Sequence, residues 1–344
     1  MAEATASPLT LVYLNALDVA ELRLDDTEIL DAVERGLRAQ GERRTVIEPR
    51  VHLVPNVASD GSAIHGHFNV LRGHVGPRDL AGVKVVGDYV DNYTLGLPSE
   101  MGLLTLFDPR TGQPLAVIDA SGLTDMRTGA VTALGARHLA RPDSRVLAHI
   151  GARGTAYWNV RLLDSLFHFD EIRVHSRRPE SRDAFAARLT ADLGKRVIAT
   201  PDWESCVRGA DIVVEASRLP EPTPMLKTAW VRKGALVMPY GTMSAVELSL
   251  TDIMDKMVVD DWGQCRKGLP FGALRQHVDS DRLNESNLHA ELGQIVAGAK
   301  PGRERDDETI LLWHRGLSIT DIALGHALLE KAKREGIGQR LRFA

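Results

Sequence analysis

The stretch Val146-Leu-Ala-His-Ile-Gly-Ala-Arg-Gly-Thr-Ala156 decides how this chain folds. Five residues suited to a buried strand run into a glycine-containing turn, and a helical pattern follows. Glycines let the backbone approach a pyrophosphate, and the unpaired N–H groups of the following helix attract it. The segment therefore reads as the phosphate-cradling start of a dinucleotide-binding unit. It is an imperfect example. A G-x-G-x-x-A pattern asks for glycine where Arg153 stands, and the second glycine arrives one place late, at Gly154. Gly151 fits the tight turn, and Ala156 is small enough for close helix–strand packing. Arg153 either adds charge at the phosphates or points to solvent.

Downstream, strand-like runs at 145–150, 171–176, 195–199, 211–216, 234–239 and 256–260 alternate with helical stretches at 154–168, 179–193, 202–208 and 249–254. Apolar strands separated by helices predict a parallel sheet covered on both faces. The candidate cofactor residues lie at the ends of these strands. They are Gly151, Arg153, Gly154 and Thr155 in the turn, then Ala216, Ser217, Gly241 and Thr242 after later strands. The second strand ends in Ser176-Arg177-Arg178, with no carboxylate to hold a ribose 2′-hydroxyl. A hydroxyl and two guanidiniums suit a phosphate monoester, so NADP(H) is favoured over NAD(H). The alternative is a solvated basic helix entry.

About 145 residues precede this unit, enough for a second domain. Residues 10–14 read as a strand, and 18–40 carry apolar residues at helical spacing, with Asp25 and Asp26 as N-cap candidates for the second half. Strand-like runs follow at Arg50–Val54, Ala63–Val70, Val83–Tyr89, Gly102–Asp108 and Gln113–Asp119. Strands following strands predict an antiparallel or mixed sheet. An Ala-rich helix over 121–140 carries Arg127 and Thr128, also cofactor candidates, in its early turns. A last helix spans 318–335.

Composition narrows the function classes. A net charge of −4 gives no basic footprint for nucleic acid. No apolar run reaches membrane-spanning length, and the N-terminus has no signal-peptide pattern. Cys206 and Cys265 have no metal-ligand spacing and suit a reducing cytoplasm.

The chain resembles the ornithine cyclodeaminase/mu-crystallin family. The resemblance rests on Tyr13–Ala20, Glu48-Pro-Arg50, Gly82-Val-Lys84-Val-Val86, Gly96-Leu-Pro98, Leu104–Asp108, Thr124-Asp-Met-Arg127-Thr-Gly-Ala130, Ala136–Pro142, Glu291-Leu-Gly293, Pro301-Gly-Arg303 and Asp307–Asp321. It implies an α/β protein in which a Rossmann-type doubly wound parallel sheet (126–316) is inserted into an α+β substrate and dimerisation domain (1–125 plus 317–344). It implies a homodimer, and hydride chemistry on amino or imino acids. It also implies that Arg50, Lys84 and Arg127 bind a substrate carboxylate.

Those cations make chemical sense on their own. A guanidinium grips a carboxylate through two parallel hydrogen bonds, which orients the reacting carbon for hydride transfer. Lys84 lies in an apolar run, where burial would lower its pKa and let it relay a proton at nitrogen. His65 and His67 are two apart on an expected strand and would share a face, lining a pocket as proton donor or as contacts for a polar substrate tail. Asp88 and Asp91 are candidates to steer a substrate amine. No third ligand can be placed beside the histidines, so no metal is expected.

One departure from the family pattern bears on the reaction. In Val237-Met-Pro-Tyr-Gly241-Thr242-Met-Ser-Ala-Val-Glu247, Thr242 stands at or next to the Asp that serves ring closure in the cyclodeaminases. A hydroxyl cannot replace a carboxylate base at neutral pH. Asp260 and Asp261 could compensate, or could cap a helix. The expectation is an imino-acid reductase or amino-acid dehydrogenase acting on a small carboxylate-bearing amine or imine. An ornithine cyclodeaminase-type enzyme and a non-catalytic NADPH-binding protein remain the alternatives.

Overall fold

The computed structural model describes residues 8–267 and 271–344. The chain opens with strand β1 (Thr10–Leu14) and two helices, α1 (Ala16–Glu21) and α2 (Asp26–Gly41). Asp25 sets the start of α2. Its carboxylate accepts the Glu28 N–H at 2.8 Å, and the Glu28 carboxylate accepts the Asp25 N–H at 3.0 Å. This reciprocal cap satisfies two orphan donors and is worth about 1 kcal/mol.

Strands β2 (Thr45–Leu53), β3 (His67–Val75), β4 (Leu80–Asp88), β5 (Glu100–Phe107) and β6 (Pro114–Asp119) follow, then helix α3 (Ser121–Leu139). Strand and helix then alternate through β7 (Val146–Ile150), α4 (Ala156–Phe167), β8 (Glu171–His175), α5 (Pro179–Leu193), β9 (Val197–Ala199), α6 (Trp203–Val207), β10 (Ile212–Glu215), β11 (Leu236–Pro239) and β12 (Lys256–Val259). The chain ends with α7 (Trp262–Cys265), α8 (Arg275–Asp279), β13 (Ala290–Glu291), α9 (Leu292–Val296), β14 (Ile310–Trp313), α10 (Ser318–Glu335) and β15 (Gln339–Arg342).

Two units result. One holds the chain up to Ala32, Arg44–Thr124 and Ser318–Ala344; the other holds Val33–Arg43 and Asp125–Leu317. The second half of α2 thus counts with the second unit, whereas the sequence placed it in the first.

In the first unit a mixed sheet runs β15-β1-β6-β5-β4-β3-β2, with only the β1–β6 pair parallel. Helix α10 covers one face: Ile322 lies on Gly82, and Leu104 reaches toward Gly325. On the other face Val51, Val70, Val85 and Leu103 form one cross-strand row. Val51, Val85, Leu103, Leu53 and Met101 are all exposed there.

In the second unit every strand pair is parallel, in the order β13-β12-β14-β11-β10-β7-β8-β9. Strands β10, β11, β12 and β14 are buried at every position, as a sheet covered on both faces requires. From β7 the chain steps outward through β8 and β9, then returns to β10 on the other side of β7. The strand order reverses between β7 and β10, and open α/β sheets bind ligands at such a switch point.

Candidate active site

Lys84 is 1% exposed, and its Nζ donates to Asp321 Oδ1 at 2.6 Å and to Thr124 Oγ1 at 3.2 Å. The sequence treated Lys84 as a desolvated amine; the fold adds a buried counter-charge from α10. Desolvating two ions costs several kcal/mol each, and a well-packed apolar pair often serves stability as well or better. A hydrophobic pair would suit this core, so the ions call for a chemical reason. Asp321 was missed as a site residue, although its signal was legible: a carboxylate on an otherwise apolar helix face.

Register sets what Lys84 can work with. Leu71 pairs with Lys84, and Leu71 is also the residue opposite the irregularity in β2 between Glu48 and Val51. That bulge sets Pro49 and Arg50 against one partner residue, which brings Arg50 into the Lys84 row. His52 pairs with Asn69, and His67 pairs directly with Asp88. Asn69 Nδ2 lies 3.2 Å from His67 Nε2, and the His52 and His67 rings are 5.6 Å apart. His67 and Asp88 share the sheet face of Lys84, but four residues along β4 separate Asp88 from Lys84 by about 13 Å. One small reacting group cannot be served from both rows.

His65 is a correction. Strand β3 begins at His67, and His65 lies exposed in the loop before it, so the two histidines do not share a strand face. The Ala63–Ser62–Gly61 approach is tied by turn bonds instead, with Ala58 N donating to Ser62 O and Ser62 N to Asp60 Oδ1. Asp91 is exposed in a short 3-10 helix, Val90–Leu95.

In the second unit, the turn after β7 departs from ordinary backbone. Gly151 has φ +110°, and a Cβ there would stand 2.7 Å from the Ala216 carbonyl oxygen. Only glycine takes that geometry against β10. Thr155 precedes α4, and Ala156 is buried at its first turn. Arg153 is exposed and donates to Ser181 Oγ on α5 at 3.4 Å. Ser176 is half-buried, and Arg177 and Arg178 are exposed at the end of β8. Ala216, Ser217, Gly241 and Thr242 gather at the ends of β10 and β11, where Thr242 N donates to Ser217 O at 3.1 Å.

Arg127 belongs to this second unit, 6% exposed on α3 beside the buried Thr128. Its guanidinium lies over Gly316, where φ is +86° and a Cβ would fall 2.0 Å from Nη1. Asp260 holds that glycine in place: its Oδ2 accepts the N–H groups of Arg315 and Gly316, each at 2.7 Å. Asp261 caps α7 through Gln264 N at 2.7 Å. Both carboxylates thus bind backbone N–H groups.

A buried polar chain backs the glycine turn. His149 Nδ1 lies 3.0 Å from Gly151 O, and His149 Nε2 lies 3.0 Å from Asn159 Nδ2. Asn159 Nδ2 also donates to the Tyr240 hydroxyl, which is 2.6 Å from Thr155 Oγ1. The Tyr240 ring packs on His314, centroids 4.4 Å apart, and His314 Nε2 meets Thr132 Oγ1 at 3.0 Å. Burial drives His149 down to about 4 and Tyr240 up to about 12. His314 falls to about 3 through burial and the nearby Arg127 charge. Both imidazoles are neutral at physiological pH. No sequence pattern announced this chain, because Tyr240, His314 and Thr132 lie far along the polypeptide from the His149–Asn159 segment.

Among the described residues, no group of three His, Cys, Asp or Glu stands close enough to hold a metal ion. None of their helices is long and apolar enough to cross a membrane.

Residues 11–336 match the ornithine cyclodeaminase/mu-crystallin family. An alanine dehydrogenase of Archaeoglobus fulgidus is 30% identical over 319 residues, covering 92% of this chain and 94% of that protein. Among solved structures, a Δ1-pyrroline-2-carboxylate reductase of Thermococcus litoralis in complex with NADH and L-proline aligns with TM-score 0.86 and 26% identity, over 96% of this chain and 99% of that one. An archaeal alanine dehydrogenase dimer with bound NAD aligns with TM-score 0.87 and 28% identity, over 98% of this chain and 100% of that one.

Proposed function

The chain belongs to the ornithine cyclodeaminase/mu-crystallin family, and from that premise we propose that it is an NAD(P)H-dependent imino-acid reductase or amino-acid dehydrogenase. Its substrate is a small amine or imine bearing a carboxylate. The observation that carries the reading is the buried Lys84–Asp321 pair, charged and hydrogen-bonded where packing alone would favour apolar side chains. When bound, the nicotinamide supplies or takes the hydride. In the reductive direction the bound nucleotide would supply the hydride for the C=N carbon, and the Lys84 ammonium would give the nitrogen its proton, so that the imine becomes an amine. The Asp321 carboxylate orients the ammonium through its 2.6 Å hydrogen bond. Arg50 is assigned to the substrate's acid group, together with the Lys84 charge. His67 and Asp88, about 13 Å along the sheet, are assigned to the far end of a substrate rather than to its reacting nitrogen. Arg127 is assigned to an anionic group of substrate or cofactor.

The dinucleotide is assigned to the β7–α4 turn and the ends of β10 and β11. Ser176, Arg177 and Arg178, with no carboxylate at the end of β8, favour NADP(H). Thr242 disfavours ring-closing deamination, which needs several proton transfers. A cytoplasmic setting fits the two buried, unbridged cysteines.

Purified protein mixed with NADPH or NADH, ammonia or amines, and a panel of 2-oxo acids and cyclic imines tests this. Oxidation of the nucleotide is expected, faster at limiting NADPH than NADH. Silence toward every pair would overturn the reading, and ammonia release without net absorbance change would point to cyclodeamination instead.

The protein is also assigned as a homodimer, through the exposed row of Val51, Val85 and Leu103 with Leu53 and Met101. Contiguous exposed apolar residues on one sheet face mark an association surface. In sedimentation, wild type should run at twice the mass of Val85→Glu/Leu103→Glu. Identical masses would remove this face from the interface.

A further inference from the structure

The chain from Gly151 to Thr155 has a direction, and the direction has a consequence for the cofactor. A carbonyl oxygen only accepts, so the Gly151 O contact at 3.0 Å requires the proton of His149 on Nδ1. The ring is fully buried and neutral, so Nε2 carries a lone pair and accepts from the Asn159 amide at 3.0 Å. That fixes which end of Asn159 faces the histidine. The same Nδ2 then donates to the Tyr240 oxygen, and the Tyr240 proton is left for Thr155 Oγ1 at 2.6 Å. Thr155 Oγ1 is thereby an acceptor within the chain. Thr155 is half-buried at the start of the 12-residue helix α4, and a hydroxyl that accepts the Tyr240 proton still has its own proton to give.

We infer that His149, Asn159 and Tyr240 are cofactor-positioning residues, which set the Thr155 hydroxyl as a donor toward the dinucleotide's pyrophosphate. The inference rests on the cofactor assignment above and extends it to residues outside the glycine turn. A hydroxyl free to rotate must be ordered when the anion arrives; one already committed as an acceptor on its inner side is pre-oriented. The relay begins at a carbonyl of the turn itself, so the loop that approaches the phosphates also dictates the polarity of the donor offered to them. The donor set suits an anion and rejects a cation, which would require the reverse polarity.

Tyr240→Phe keeps the ring on His314 and removes only the hydroxyl, and Thr155→Val removes only the terminal donor. Dissociation constants for NADPH, ADP-ribose and adenosine, measured by calorimetry, test the relay. Thr155→Val is expected to weaken NADPH and ADP-ribose about tenfold, as loss of one hydrogen bond to a charged group does. Tyr240→Phe should weaken them about three- to tenfold, with adenosine unchanged in both. Thr155→Ser should restore binding. In the Thr155→Val background, Tyr240→Phe should add no further loss. Equal NADPH affinity in wild type and Tyr240→Phe, or additive losses in the double variant, would overturn the relay. Wild type that binds neither NADPH nor ADP-ribose would instead overturn the cofactor assignment on which it rests.

Discussion

Lys84→Met is expected to lower kcat/KM by about 10²- to 10⁴-fold, the range of a lost general acid, while NADPH affinity is unchanged. The substitution also removes the nearest counter-charge from Asp321, 2.6 Å away in a core where both side chains are essentially inaccessible. Breaking a buried pair from one side costs about 3–5 kcal/mol, so the single variant confounds folding with chemistry. The double variant Lys84→Met/Asp321→Leu separates them. Apolar packing replaces both ions, so denaturation midpoints should return to or above wild type. Turnover should stay lost, because no group remains to protonate the nitrogen. Calorimetric melting and steady-state assays on the three proteins check both halves. Substantial activity in the double variant would sink the assigned role of Lys84. Recovered stability without activity would show that the ions serve the reaction at no gain to the fold.

Sequence legibility followed how local each signal was. The β7–turn–α4 segment was legible because its strand is apolar but for His149 and the turn after it carries Gly151, whose backbone geometry demands glycine. The Asp25–Glu28 cap was half legible: the cap residue was named, but not the break that leaves α1 separate. Strand β15 was not seen, since Gln339–Arg342 is exposed at every position and shows no alternation; only its pairing with β1 makes it a strand. The bulge that sets Arg50 opposite Leu71 has no sequence mark beyond Pro49, and the run Ala63–Val70 gave no hint that pairing starts at His67. Asp321 and the His149–Asn159–Tyr240 chain are long-range constructions. Lys84 meets Asp321 across 237 residues, and Asn159 meets Tyr240 across 81. Periodicity reports which face of an element is buried, but not which polar partner waits there.

Glu215→Gln is expected to remove a loss of stability that wild type suffers as pH rises. Glu215 ends β10 at the switch point, fully buried, with Oε1 accepting the Ser217 N–H at 2.7 Å. Burial lifts its pKa to about 7, against the opposing pull of Ser217 and the Gly241 N–H. In the unfolded chain the group ionises near its ordinary value of 4.5. Between these limits the native state holds one more proton than the unfolded state, so stability falls as pH rises. The penalty is absent below about pH 4.5 and complete above about pH 7. A shift of this size corresponds to about 3 kcal/mol. Glutamine keeps an oxygen for Ser217 N–H and cannot ionise. Urea unfolding of both proteins at pH 5 and pH 8 should therefore show Glu215→Gln gaining up to about 3 kcal/mol relative to wild type at the higher pH. The comparison cancels every other titrating group. A pH-independent difference would mean that Glu215 is already ionised in the native state or reached by water. The same carboxylate lies beside Ala216 and Ser217, both assigned to the anionic dinucleotide. Its ionisation should thus weaken NADPH binding in wild type above pH 7, and the glutamine variant should lose that slope while retaining affinity at pH 6.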